Sequence, residues 1–507
     1  MAAAFLYLLL PLVSWSLAGG QSCTHILPTA SAQVNYNTIV GCLRGEQQAG
    51  LSAGTFLLPH GIRLPPNTTL FGVPPNASSA ELMSRLVLAV PTAITHYLLL
   101  VGSHSEVSGV VLDARDNLLG EGCCKCVLCI YGNFSQVSNV EAMGTSTGVG
   151  VHFESPTSRG NTVSETSVRA CFYGVAFASG LSARQANAFE RGVLENVLCD
   201  AVSFAGYGEV RLTTIRRSGY ACRPPGDGEA PAGAGFFCRG NWDGAIVHAN
   251  QVVDTCGMAL DVDSCSHLDI FNNTFSGPGY DWDGNFTHCW GALAASLLDS
   301  QMCSVSRNLM SNGRESNRLG MSHGDQHQVF SELATAPFSD LPNGTDTVLT
   351  FALLHRPHAG AKPSINNEIS NNSFTSRCAG ENATCVGLAY FVGRGTGLEG
   401  RRLPGHAWGE RGPKQPSRFT GNVEDADVGS VRCGENAYAA AEPVCRIESD
   451  WPCNADDYQH PKENFRNNLH CQDYVDVIHD RPVDQNGGGL RQPLPIVMGQ
   501  GTPRWEM

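Results

Sequence analysis

Asp261 and Asp263 are the residues best placed by type and spacing to do chemistry. They lie two apart in the run Met258-Ala-Leu260-Asp-Val262-Asp, whose alternation predicts a strand. On a strand such residues share a face, so the two carboxylates stand about 7 Å apart along it. Paired carboxylates can act as acid and base, as acid and nucleophile, or as calcium ligands. Asp261 and Asp263 are therefore the candidate catalytic residues, with Arg239 and His248 as accessory groups. Arg239 is the one basic candidate near them.

A second constellation follows closely. Tyr280-Asp281-Trp282-Asp283-Gly284-Asn285 alternates hard oxygen ligands on a turn that glycine permits, the pattern of a calcium loop. Asp281, Asp283 and Asn285 are its candidate ligands. A complete EF-hand loop would place a bidentate Glu where Ala292 stands. His323 and His327, with Asp325 between them, could hold a metal on a helix, but their setting is loop-like. Cys123, Cys124, Cys126 and Cys129 have partly zinc-like spacing, and in an exported chain disulfides fit them better. No nucleophile elbow, phosphate-binding glycine loop or nucleophilic triad is recognisable.

Short strands must position these groups. Charged residues make up 16 % of the 507-residue chain and glycine occurs 56 times, a balance suited to tight turns rather than helical bundles. A pattern of apolar residue, two of any kind, Asn, one of any kind, apolar recurs five times. It runs Val193/Asn196/Leu198, Val247/Asn250/Val252, Ile270/Asn273/Phe275, Val305/Asn308/Met310 and Ile369/Asn372/Phe374. Asn250 and Asn273 stand about one solenoid coil apart. Asn tolerates the left-handed backbone of a sharp bend, and stacked coils would align its side chain in a hydrogen-bonded ladder.

A further strand per coil appears in Val149–Phe153, Gly174–Phe177, Ala201–Phe204 and Met258–Asp263. The outward positions on it are His152, Glu154, Ala176, Ala178, Ser203, Ala205, Asp261 and Asp263.

The block GTFLLPHGIRLPPNTTLFG (54–72) resembles the opening segment of pectate-lyase-like β-helix proteins, in which a capping helix precedes the first coils, and SEVSGVVLDAR (105–115) resembles the next rung. The amphipathic stretch Asn37 to Cys42 stands where the cap would be. The resemblance covers roughly residues 34–376 and implies an all-β, right-handed parallel β-helix. That superfamily hosts polysaccharide lyases, galacturonan hydrolases, pectin methylesterases, uronan epimerases and non-catalytic surface proteins, so fold alone does not choose a reaction. The galacturonan hydrolase signature and the Asp-Pro-His-Glu of mannuronan epimerases are both absent here.

The first twenty residues predict export. Phe5 to Val13 is apolar apart from Pro11, and Ala18 and Gly20 supply the small residues of a cleavage site, although no Lys or Arg precedes the apolar core. All 20 cysteines follow Gly20, which predicts a disulfide framework. Sequons occur at Asn67, Asn76, Asn133, Asn272, Asn285, Asn343, Asn371 and Asn382. No later run is long and apolar enough to span a membrane.

The expected organisation is a signal peptide (1–20), a β-helix domain (21–392) and an irregular, disulfide-tied C-terminal tail or cap (393–507). The net charge of −14 excludes nucleic acid and anionic membrane surfaces as partners. An anionic polysaccharide would need a bridging cation, for which calcium is the candidate. The expected function is a secreted, monomeric, carbohydrate-active protein that binds a polysaccharide and cleaves it by lyase or hydrolase chemistry. The alternative is a non-catalytic glycosylated extracellular scaffold or carbohydrate-binding protein.

Overall fold

The alternating apolar runs form strands that stack on themselves coil after coil. The computed structural model describes residues 23–74, 83–92, 95–118, 125–155, 157–178, 186–219, 233–239, 243–263, 265–276, 294–298, 300–311, 347–355, 367–375, 384–392, 418–420 and 423–424. Every paired strand among them is parallel to its neighbours. Face 1 is a 12-stranded sheet running from Gln48–Gly50 to Arg418–Thr420. Faces 2 and 3 carry the remaining strands, and in two coils a single long strand, Glu141–Phe153 or Ser167–Phe177, serves both. The chain is a right-handed parallel β-helix. Strands Arg418–Thr420 and Val423–Glu424 extend faces 1 and 2 beyond residue 392.

Stacking identical positions explains the core. On face 1 the inward row reads Leu70, Val107, Val137, Val163, Phe189, Val210, Val247, Ile270, Val305 and Ile369. Each residue lies over its register partner at the spacing of sheet strands, so like shapes pack without gaps. On face 3 the same principle stacks rings: Phe153 on Phe177 at 4.8 Å and Phe177 on Phe204 at 5.1 Å between centroids.

The N-terminal end is closed by a helix, Ala32–Gly45, longer than the amphipathic stretch suggested. Ser31 caps it, its hydroxyl accepting from the Val34 N–H. Asn35 ties the helix to the first coil, donating through Nδ2 to the Leu57 carbonyl at 3.1 Å. The Cys23–Cys42 disulfide fastens its C-terminal turn. A first coil left open would expose apolar rows and unpaired edges, which this helix covers.

The Asn motif proves to be two devices. Asn250, Asn273, Asn308 and Asn372 form a buried ladder at the corner from face 1 to face 2. Each Nδ2 donates to the next Oδ1 at 3.0, 2.9 and 3.0 Å in turn. The left-handed residue at that corner is the one before: Ala249, Asn272, Arg307 and Asn371 have φ between 53° and 56°. The expectation that the ladder Asn itself takes that conformation is corrected accordingly. Asn196 stands at a different corner, takes φ 56° itself and is no rung of the ladder. A second ladder, unseen in the sequence, joins Ser135, Asn161 and Asn187 at the corner from face 3 to face 1.

The cysteine framework holds in part. Cys126–Cys129 and Cys238–Cys265 are bonded to each other, and Cys199 and Cys256 are each engaged in a disulfide too. Cys171 and Cys303 are instead free and buried, and burial pushes each thiol up to about 12. Among the described residues no helix is long and apolar enough to cross a membrane.

Candidate active site

Faces 1 and 2 match each buried carboxylate with a cation. Asp113 pairs with Arg85, Glu141 with Arg169, and Glu190 with Arg191 and Arg211. His248 belongs to this surface. It lies on face 1, its Nε2 is 3.1 Å from Glu209 Oε1, and its ring stacks on Phe271 at 4.7 Å. It therefore does not join the Asp261 pair, which is on face 3.

Face 3 is built differently. Its outward row runs, by register, through Cys129, His152, Ala176, Ser203, Phe237, Asp261 and Ser296. The sequence placed His152, Ala176, Ser203 and Asp261 on this row. Phe237 escaped because its strand, Phe236–Arg239, has no alternation to reveal it. Leu260 and Val262 enter the core, which turns Asp261 and Asp263 to the outside together. Even so, both are only 4 % exposed. Ser296 donates through Oγ to Asp261 Oδ1 at 3.3 Å. Arg239 is the strand-register partner of Asp263, so three of the four predicted residues are brought together.

Sequence reasoning missed the fourth member, Asp200. It precedes strand Val202–Phe204 on the same face, two coils from Asp261. Its Oδ1 accepts from the Ala234 N–H at 2.8 Å. Burial pushes the Asp200 carboxyl up to about 7; the Ala234 hydrogen bond opposes the shift and the Asp261 charge adds to it. Among the described residues no cation pairs with Asp200. Tyr173 stands beside it, its phenol pushed up by burial and then by the Asp200 charge. The order of residues in the sequence hid Asp200, because it sits just before its strand and outside any alternating run.

A carboxyl protonated near neutral pH on the same face as an acidic pair, where it feels the Asp261 charge, is an acid–base arrangement. Further along the row, burial lowers the His152 imidazole to about 4, which leaves it neutral.

The candidate calcium ligands Asp281, Asp283 and Asn285 lie outside the described residues, as do His323, Asp325 and His327. The connection that carries the first three leaves face 2 at Ser276 and enters face 3 at Ala294. The Ala294 carbonyl accepts from the Leu260 N–H at 3.1 Å, so this connection ends against the Asp261 strand.

The chain matches no protein-family model and no curated protein. Solved structures do resemble it. The A-module of mannuronan C-5 epimerase AlgE6 from Azotobacter vinelandii is 11 % identical, with 78 % of this chain and 96 % of that one covered and a TM-score of 0.46. DFA-IIIase from Arthrobacter chlorophenolicus is 13 % identical, with coverage of 84 % and 100 % and a TM-score of 0.47. The catalytic unit of a GH87 α-1,3-glucanase from Streptomyces thermodiastaticus is 12 % identical, with coverage of 82 % and 71 % and a TM-score of 0.38. No chemistry carries across at these values, so the acidic centre is read from this chain's own residues.

Proposed function

We propose that the chain is a secreted carbohydrate-active protein that binds a polysaccharide along face 3 and hydrolyses it at the acidic centre. One observation carries this reading: Asp200, buried with no cation partner among the described residues and pushed up to about 7, lies on the same face as Asp261, whose charge adds to that shift. In this reading Asp200 gives its proton to the glycosidic oxygen as that bond breaks. Asp261 takes a proton from the attacking water, and the Ser296 hydroxyl fixes its orientation. Asp263 and Arg239 flank the reacting sugar, and His248 takes no part.

Calcium held by Asp281, Asp283 and Asn285 would offset the acidity of the protein toward an acidic sugar. Export is supported by the N-terminal segment and by the disulfides. Glycosylation is proposed at the exposed sequons Asn67, Asn272 and Asn371.

The test is a screen of purified protein on uronate and neutral polysaccharides, with calcium and with chelator. New reducing ends and the absorbance of unsaturated products are followed together. Reducing ends without absorbance support the hydrolase. Absorbance that needs calcium would replace it with a lyase, and binding without cleavage would return the protein to the scaffold class.

A further inference from the structure

Face 3 carries a second polar cluster, four to five coils before Asp261, that the acidic centre does not use. Cys126 and Cys129 lie in one short strand, Cys126–Ile130, and are bonded to each other with no surface exposed. A carboxylate oxygen of Glu154 and the two sulfurs all lie within 4.8 Å of one another. His152 is the register partner of Cys129, and its Nδ1 is buried with no hydrogen-bond partner. Leu100, Val149, Tyr97 and Tyr173 enclose the group in apolar surface.

Stability is a poor explanation for this disulfide. Cross-links stabilise chiefly by shortening the loops of the unfolded chain, and the effect grows with loop length. Cys23–Cys42 and Cys238–Cys265 span 19 and 27 residues, whereas Cys126–Cys129 spans three. A partly buried carboxylate that only the His96 charge offsets and an orphaned imidazole nitrogen on His152 also cost desolvation that a purely structural bond does not need.

We propose that Cys126, Cys129 and Glu154 form a redox-gated site for a zinc-class divalent cation. The disulfide is its closed state. Reduction by a dithiol breaks the S–S bond: two electrons and two protons pass to the cysteine sulfurs, and the reductant leaves as its own disulfide. The cation then displaces the two thiol protons and binds two thiolates and the Glu154 carboxylate. His152, the register partner of Cys129, is the candidate donor for the fourth tetrahedral position. Two sulfurs at C-x-x-C spacing with one nitrogen and one oxygen donor suit zinc rather than calcium. Thiol exchange with an external disulfide, which takes the two electrons and leaves as its dithiol, re-forms the Cys126–Cys129 bond and releases the cation. The site is separate from the acidic centre and does not depend on the function proposed for it.

The experiment titrates the full chain with cadmium, as a spectroscopic stand-in for zinc, before and after phosphine reduction. Thiol labelling in denaturant reports whether the pair is open. The expected result is one cadmium per chain with a sulfur-to-metal charge-transfer band, present only after reduction and absent in C126S/C129S. Glu154→Gln keeps the size of the side chain and both thiols, and should weaken binding at least about tenfold. Three results would overturn the site: a band that persists in C126S/C129S, unchanged affinity in Glu154→Gln, or a pair that stays closed to phosphine in the folded chain.

Discussion

Asp200 and Asp261 lie two coils apart on one face, and the charge of Asp261 adds to the burial that keeps the Asp200 carboxyl protonated up to about 7. Every other face of the helix matches its buried carboxylates with arginine. Among the described residues Asp200 has no such partner, and its wall is the one where chemistry is expected, because uncompensated burial costs stability and persists where it serves a function.

That cost has a pH signature. Asp200 rises from 3.8 to about 7 on folding, so the native chain binds this proton more tightly than the unfolded one. The Asp200 contribution to stability is greatest below pH 3.8, falls as pH rises through the window to about 7, and is flat above it. Tyr173 and Asp261 are the titratable groups that face it. Asp200→Asn keeps an acceptor for the Ala234 N–H and removes the titration. Thermal melts should show the variant gaining on the wild type from pH 4 to 7 and holding a constant lead above. A lead that does not depend on pH would show that Asp200 titrates normally.

The Asn corner gives a contrast in stability. Asn273 donates to Asn308 Oδ1, to the Val247 carbonyl at 2.9 Å and to the Phe271 carbonyl at 3.1 Å, and it accepts from the Asn250 N–H. Asn273→Ala deprives the buried Asn250 N–H and the Asn250 and Asn308 side-chain amides of a partner and should cost at least about 3 kcal/mol in denaturant melts. Asn196→Gly, at a left-handed position where the side-chain oxygen has no partner, should change stability by less than about 1 kcal/mol.

Phe177 lies between Phe153 and Phe204, ring on ring, and is fully enclosed. Phe177→Ala opens a cavity inside a stack that cannot collapse without moving whole coils. The expected loss is about 3–5 kcal/mol, read from the chemical denaturation midpoint.

Calcium at the Asp281 connection should act on the native state alone. A ligand at a hundred times its Kd adds about 2.7 kcal/mol. Chelator should therefore lower the melting temperature of the wild type, and the Asp281→Ala, Asp283→Ala double variant should not respond. An equal response in both would place calcium elsewhere.

Much of the fold was legible because a coil repeats its own grammar. Alternation and recurrent Asn disclosed the strands, and four of the five Asn motifs form the ladder. What stayed hidden depends on register between coils. Insertions of unequal length separate Asp200 from Asp261 in the chain, so no spacing rule pairs them. Phe237 was hidden because its strand, Phe236–Arg239, has no alternation. His248 looked close to the acidic pair in sequence, yet a corner of the coil turns it onto another face, where Glu209 holds it.

The most direct test of the acidic centre is the pH dependence of kcat/KM on a polysaccharide that the screen identifies, for wild type and Asp200→Asn. The account predicts a wild-type profile whose alkaline limb falls near pH 7, where Asp200 loses its proton, and a loss of about 10²–10⁴ in rate for Asp200→Asn. An Asp200→Asn enzyme with wild-type rate and the same alkaline limb would contradict it.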